Sequence, residues 1–185
     1  AFLGKKVVEN LGTFQGLKIR TSGAPKELAV RKIGATPIQM PTPEVYEALS
    51  RGTIDGMLFP FSSIYSYDLQ GLLKSATIGE NLGSFIVAYM ISEKKWKSLS
   101  PEAQKALADA GAEATKVGCK IAQETEVADR DRLKALGVAL VELNAADKAK
   151  VREGMASVGA DWAANLDKRG KAGTETLKAF EEALK

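Results

Sequence analysis

The chain carries no histidine, so Ser-His-Asp and Cys-His catalysis and the histidine-based zinc sites have nothing to be built from. Acid–base or nucleophilic work would fall to Asp, Glu, Lys or Tyr, and no spaced pair of carboxylates stands out from helix-surface charge. Cys119 is the only cysteine. It can form neither an intrachain disulfide nor a multi-cysteine metal site, and it reads as a small apolar residue on a helix. No catalytic residue, no metal and no cofactor are expected. By residue type, Arg20 and Thr42 could instead meet an anion. Arg20 ends a short apolar run; alone it reads as an exposed strand-end arginine, yet its planar fork matches a carboxylate in two parallel hydrogen bonds. Thr42 precedes Pro43 and Glu44, the pattern of a helix N-cap, and such an end offers N–H groups to an anion. Phe59 stands before Pro60 as core or as a ring for stacking. Asn81 lies in a turn before an apolar run.

The elements that must position these residues follow from punctuation and period. Val7-Val8 and Leu17 to Arg20 read as strands joined by a turn. Glu27 to Ile33 reads as a short helix closed by Gly34, and Thr36 to Met40 as a strand with Pro37 near its start. Val45, Ala48 and Leu49 form a helical stripe that Arg51-Gly52 ends, and Ile54 to Phe59 returns as a strand. Strand, helix, strand, helix, strand over residues 17–59 predicts an α/β unit with a largely parallel sheet. Phe61 to Leu73 is expected to hold a short helix. Ser84 to Ser92 is the most strand-like run, apolar enough for a strand covered on both faces. Ser100 as cap and Pro101 at the first position open a helix that runs to Gly137, about 54 Å if unbroken. Such a helix outruns a small domain and is expected to lie against more than one sheet. Val138 to Leu143 is a strand, and Asp147 to Lys185 holds two or three helices with Trp162 as a packing anchor.

Composition narrows the function class. The net charge of +3 comes from 26 basic and 23 acidic residues that alternate along the chain, so no nucleic-acid-binding stripe exists. No apolar run reaches the roughly 20 residues needed to span a bilayer, so no direct membrane insertion is expected. Ala1-Phe2-Leu3-Gly4 is too short for a signal-peptide core.

Four segments in order resemble the solute-binding proteins of tripartite ATP-independent periplasmic (TRAP) transporters, the DctP-like family. Gly16-Leu17-Lys18-Ile19-Arg20 is similar to the family's G-x-K-x-R strand. Gly34 to Met40 (GATPIQM) is similar to its G-A-x-P-x-x-M strand. Glu44 to Gly56 is similar to E-V-Y-x-A-L-x-x-G-x-x-D-G, and Trp96 to Lys105 to the W-x-x-L-x-P-E-x-Q-K opening of its long helix. The resemblance implies a periplasmic-binding-protein-like, two-lobed α/β fold, present here mainly as the second lobe plus a lobe-spanning helix, with the first lobe largely absent. On that reading residues 1–16 cross from the first lobe and 17–59 form the second-lobe unit. Residues 60–99 return a strand to the first lobe, 100–137 are the connecting helix, and 138–185 are a strand and closing helices.

The resemblance also implies a function: capture of a small organic acid in the periplasm and its delivery to the TRAP membrane permease subunits. By motif position Arg20 is expected to clamp a monocarboxylate. Phe59 replaces a residue that is often a polar ligand contact, which argues for an apolar or aromatic ligand body. Thr42 and Asn81 complete the expected ligand-binding set. The alternatives are a ligand-sensing domain of a signalling protein with a similar two-lobed fold, which predicts adjoining signalling sequence, and an enzyme, which the missing chemistry disfavours.

Overall fold

A computed structural model describes residues 1–84 and 88–184. In chain order it holds β1 (Phe2–Leu3), β2 (Lys18–Thr21), α1 (Ala24–Lys32), β3 (Thr36–Gln39), α2 (Val45–Ser50), β4 (Gly56–Met57), α3 (Phe61–Ser66) and β5 (Ser75–Ile78). There follow α4 (Glu93–Lys97), α5 (Pro101–Ala135), β6 (Ala139–Glu142), α6 (Ala145–Ala156), α7 (Val158–Asp167) and α8 (Gly173–Ala183). The strands form one mixed sheet in the order β3-β2-β4-β1-β5-β6. β2 pairs in parallel with both β3 and β4, as the alternation over residues 17–59 predicts. β1 lies antiparallel between β4 and β5, so the sheet is not parallel throughout.

Alternate strand residues point to opposite faces, and each face has its own core. Phe2, Val45, Leu49, Met57, Ile64 and Leu133 pack on one side, against α2, α3 and the end of α5. Leu3, Ile19, Val30, Ile33, Leu58 and Val151 pack on the other, against α1 and α6. Ile19 therefore faces α1, while its neighbour Arg20 turns to the face that holds Phe59 and Met40. Gly34 stops α1 with φ +82°, a conformation that costs a side-chain-bearing residue about 1 kcal/mol or more.

Several expectations change. Val7-Val8 is not a strand; Val8 is buried, and its N–H donates to Ser75 Oγ at 3.1 Å instead of entering a ladder. The strand predicted over 54–59 shortens to Gly56–Met57, and the helix predicted over 61–73 to Phe61–Ser66 plus a 3-10 turn at Gln70–Leu72. Of the strand predicted over 84–92, residues 85–87 lie outside the described residues. Ser84 and residues 88–92 are not in a strand, and Tyr89 is 98% exposed: a run apolar on both faces needs two covering layers, and nothing described covers this one. Trp162 is half-buried, and its neighbour Ala163 is the buried residue of α7.

The long helix forms as its caps dictate. Ser100 Oγ accepts from Ala103 N–H at 3.3 Å, Pro101 takes the first position, and α5 runs 35 residues without a break at Gly111 or Gly118. Among the described residues, those it buries lie near its C-terminal end. Leu133 is fully buried, and Arg132 bonds Asp129 at 3.0 Å while lying 3.7 Å over the Tyr65 ring. Residues 105–124 are exposed, Cys119 among them, so Cys119 is not the packed residue its type suggests. Within the described residues α5 meets a single sheet.

Asp167 joins the last two helices. Its carboxylate accepts from Gly173 N–H at 2.8 Å, Thr174 N–H at 3.1 Å and the Thr174 hydroxyl. These bonds, the hydroxyl's first, hold its carboxyl below the ordinary 3.8. Because the folded-state value is depressed, the contribution is present above the unfolded value and is lost as pH falls through the folded one. Asp167→Asn is expected to flatten the acid limb of the stability curve below about pH 4. Thermal melts across that range check it, and an acid dependence equal to that of the parent would count against it.

Candidate functional site

The carboxyl ends of β2, β3 and β4 meet at one edge of the sheet. The chain leaves β2 to form β3 on one side and β4 on the other, and such a switch point opens a crevice beyond the strand ends. Arg20, Met40, Thr42 and Phe59 all gather there. The Arg20 guanidinium donates from Nε and Nη2 to the Met40 carbonyl at 3.1 and 3.0 Å, and from Nη2 to Thr42 Oγ1 at 3.0 Å. It lies 5.3 Å from the centroid of the Phe59 ring, which meets Tyr67 edge-on at 5.8 Å.

This arrangement corrects the role of Thr42. Pro41, not Thr42, holds the N-cap position of a 3-10 turn at Thr42–Glu44 that leads into α2, and no side chain caps it. The Thr42 hydroxyl accepts from the Arg20 guanidinium instead of capping a helix. Phe59 is half-buried, packing partly on the core and partly under the guanidinium. Asn81 stands apart from this cluster. It is exposed, and its Oδ1 accepts from Gly83 N–H at 2.8 Å, closing a turn. Asp55 braces the sheet by accepting from Lys18 N–H at 2.8 Å.

Arg20 is 1% exposed, and Nη1 has no hydrogen-bond partner among the described residues. Burial pushes its pKa down, with Tyr67 acting the other way, but a guanidinium stays charged in proteins. A buried cation contacted by a carbonyl, a hydroxyl and a ring keeps most of its desolvation cost, so an anion at Nη1 would be strongly favoured.

A cleft of about 760 Å³ opens beside this cluster, lined by Leu58, Phe59, Lys26, Ser62, Thr77 and Asn81 among others. That size suits a small molecule. The cleft brings Phe59 and Asn81 to one cavity although they do not touch Arg20 in the same way. Lys26 was not foreseen from the sequence: it sits among the ordinary charges of α1, and no spacing rule marks it. Met40 was visible only as part of its motif; that its carbonyl grips Arg20 depends on the β2–β3 register. Among the described residues no group of three or more Asp, Glu or Cys side chains is placed to hold a metal ion.

Comparison with known proteins bears on this site. Residues 1–165 match the DctP family model, bacterial extracellular solute-binding protein, family 7. The chain is 33% identical over 135 residues to the 2,3-diketo-L-gulonate-binding periplasmic protein YiaO of Escherichia coli, covering 72% of this chain and 41% of that protein. It is 30% identical over 172 residues to the C4-dicarboxylate-binding periplasmic protein DctP of Rhodobacter capsulatus, covering 92% and 50%. It superposes with TM-score 0.77 and 30% identity on a TRAP periplasmic solute-binding protein from Bordetella bronchiseptica with bound (R)- and (S)-mandelate, covering 97% of this chain and 58% of that one. The chain thus spans about half the length of the curated relatives it matches. The order of its motifs, the mixed sheet and the family match agree, and the chain belongs to the DctP family of bacterial extracellular solute-binding proteins.

Proposed function

We propose that the protein containing this chain is a periplasmic TRAP solute-binding protein that holds a small organic acid through Arg20 and hands it to the membrane permease subunits. The observation that carries this reading is the buried Arg20 guanidinium with Nη1 unengaged at the carboxyl ends of the parallel strands. The ligand carboxylate bonds Nη1, Thr42 and the Met40 carbonyl fix the fork, and the ligand body lies against Phe59. Nη1 is screened from solvent, so ligand entry requires a local rearrangement around it. Asn81 lines the same cleft.

The two-lobed arrangement belongs to the same proposal. The apolar residues Leu107, Val117 and Ile121 on α5 are about half exposed, and Tyr89 and Met90 almost fully so. The solved relative is longer than this chain, and on this reading its additional lobe is what covers the equivalent surfaces and closes the cleft from above.

A thermal-shift screen of organic acids on the intact protein tests the function, since a ligand that binds the folded state stabilises it by roughly 2.7 kcal/mol at a hundredfold excess over Kd. Aromatic and short aliphatic acids are expected to raise Tm, and polyhydroxylated acids are not. Stabilisation by sugar acids such as glucuronate, with aromatic and aliphatic acids inert, would overturn the role given to Phe59. No stabilisation by any acid would overturn the function.

A further inference from the structure

α6 carries Lys148 and Arg152 one turn apart, so the two side chains leave the same face of the helix. That face meets the edge where β5 and β6 end in parallel register, Ile78 beside Glu142. Lys148 bonds the Glu142 carboxylate. The chain leaves β5 through Gly79, in a left-handed conformation with φ +83°, and Glu80 follows. Arg152 takes the Glu80 carboxylate with its fork: Nη2 donates to Oε1 at 2.8 Å and Nε to Oε2 at 3.2 Å. The two partners are unequally placed. The Glu80 side chain is 9% exposed and the Arg152 side chain 70%. Glu80 lines the 760 Å³ cleft beside Asn81, and Arg152 does not. The acid therefore sits on the inner side of the wall and its counter-charge behind it.

A nearly buried carboxylate is a liability in a cleft that captures an acid. We infer that Arg152, without touching the ligand, makes this cleft receptive to an anion by neutralising Glu80 from behind the wall. The inference rests on the reading of the protein as an organic-acid binder. Among the described residues the charged side chains of the lining are Lys26, Glu80 and Glu126, two carboxylates against one ammonium. The Arg152 guanidinium brings that set to balance. Its fork matches both oxygens of Glu80, and the bonds it makes hold its own pKa above the ordinary arginine value. Removing one partner of such a pair leaves the other charge uncompensated in a poorly hydrated place. An entering carboxylate would then meet a like charge across a partly desolvated space, which opposes its binding. Arg152 is thus a positioning residue that acts through Glu80, and the sign of its effect is electrostatic.

Calorimetry on the intact protein with benzoate, (R)-mandelate and hexanoate tests the inference in a double-mutant cycle. Arg152→Gln is expected to weaken the acids that bind the parent by about fivefold or more, since it leaves Glu80 unpaired. Glu80→Gln should bind them as well as the parent or more tightly. The double variant should return to within about twofold of Glu80→Gln, because the two sites are coupled and the harmful charge is gone. The Arg152→Gln deficit should also shrink with added salt, as the screening length falls from about 10 Å at 0.1 M to about 3 Å at 1 M. A role confined to holding the 79–84 loop would leave the double variant as weak as Arg152→Gln and the deficit independent of salt, and either result overturns the inference. So does parent-like affinity in a folded Arg152→Gln. Should that variant fail to fold, Glu80→Gln and the double variant carry the test: equal affinities are expected, and a double variant about fivefold weaker refutes the charge role. If none of the three acids binds the parent, the organic-acid reading fails first and the inference with it.

Discussion

Arg20→Lys is expected to lower the intact protein's affinity for its acid by at least about tenfold, with the fold retained. The native fork does three jobs at once: it grips the Met40 carbonyl through Nε and Nη2, reaches Thr42 Oγ1, and leaves Nη1 for a ligand. An ammonium on a flexible stem keeps the charge but cannot meet all these partners from one position. Charge-assisted hydrogen bonds contribute roughly 1.5–3 kcal/mol each, and about 1.4 kcal/mol is tenfold in affinity. Arg20→Met separates function from stability. Methionine fills much of the buried volume and removes a charge that the described residues meet only with neutral groups. Binding should then be lost while Tm is unchanged or raised, because breaking up a buried charge with an apolar residue of similar size is often neutral or stabilising. Circular dichroism and thermal melts establish folding, and calorimetry reads affinity. Unchanged affinity in Arg20→Lys, or collapse of the fold in Arg20→Met with binding unaffected in Arg20→Lys, would show that Arg20 is structural.

Gly56→Ala is expected to destabilise the protein by roughly 3 kcal/mol or more, the largest stability effect of any single methyl proposed here. Gly56 stands where β4 is squeezed between β1 and β2, paired with Leu3 on one side and Ile19 on the other. A Cβ there would lie 2.3 Å from the Phe2 carbonyl oxygen, 2.6 Å from Leu3 Cδ2 and 3.1 Å from Ile19 Cδ1. Side chains can rotate away, but the carbonyl belongs to the strand itself. β1 has only two residues in the sheet, so it cannot shift without giving up its pairing to both β4 and β5. Gly71→Ala is the control, since a Cβ at Gly71 meets nothing within 4 Å and should change stability by no more than about 0.5 kcal/mol. Chemical denaturation of the two variants beside the parent checks this. Equal midpoints for Gly56→Ala and Gly71→Ala would show that the sheet yields more easily than its geometry implies.

The same close approach gives a physical reason for the Asp55-Gly56 pair, read from the sequence only as part of a motif. The aspartate bonds the Lys18 N–H to set the edge of β2, and the glycine lets the next strand come near enough to pair. Arg20 stood out only through its motif: alone it reads as an exposed strand-end arginine, and the structure instead buries it. Lys26 was not legible, because its cleft is built by the 79–84 loop and α5, which lie far from it in sequence.

Local chemistry alone determined α5, with Ser100 and Pro101 at its start and Gly137 after its end, because capping and period act within a few residues. It also determined β2, β3 and the stop at Gly34, where strand propensity and a left-handed φ are properties of the segment itself. Tertiary structure decided β1 and β5. Phe2–Leu3 is too short to carry a period, and Ser75–Ile78 alternates over only four residues with Ala76 and Ile78 as its apolar pair; each becomes a strand because a neighbour offers a ladder. It decided Thr42 as well. A threonine before proline has an N-cap's local signature, but the hydroxyl bonds a buried guanidinium 22 residues away, since a charge without water draws whatever oxygen the fold brings within reach.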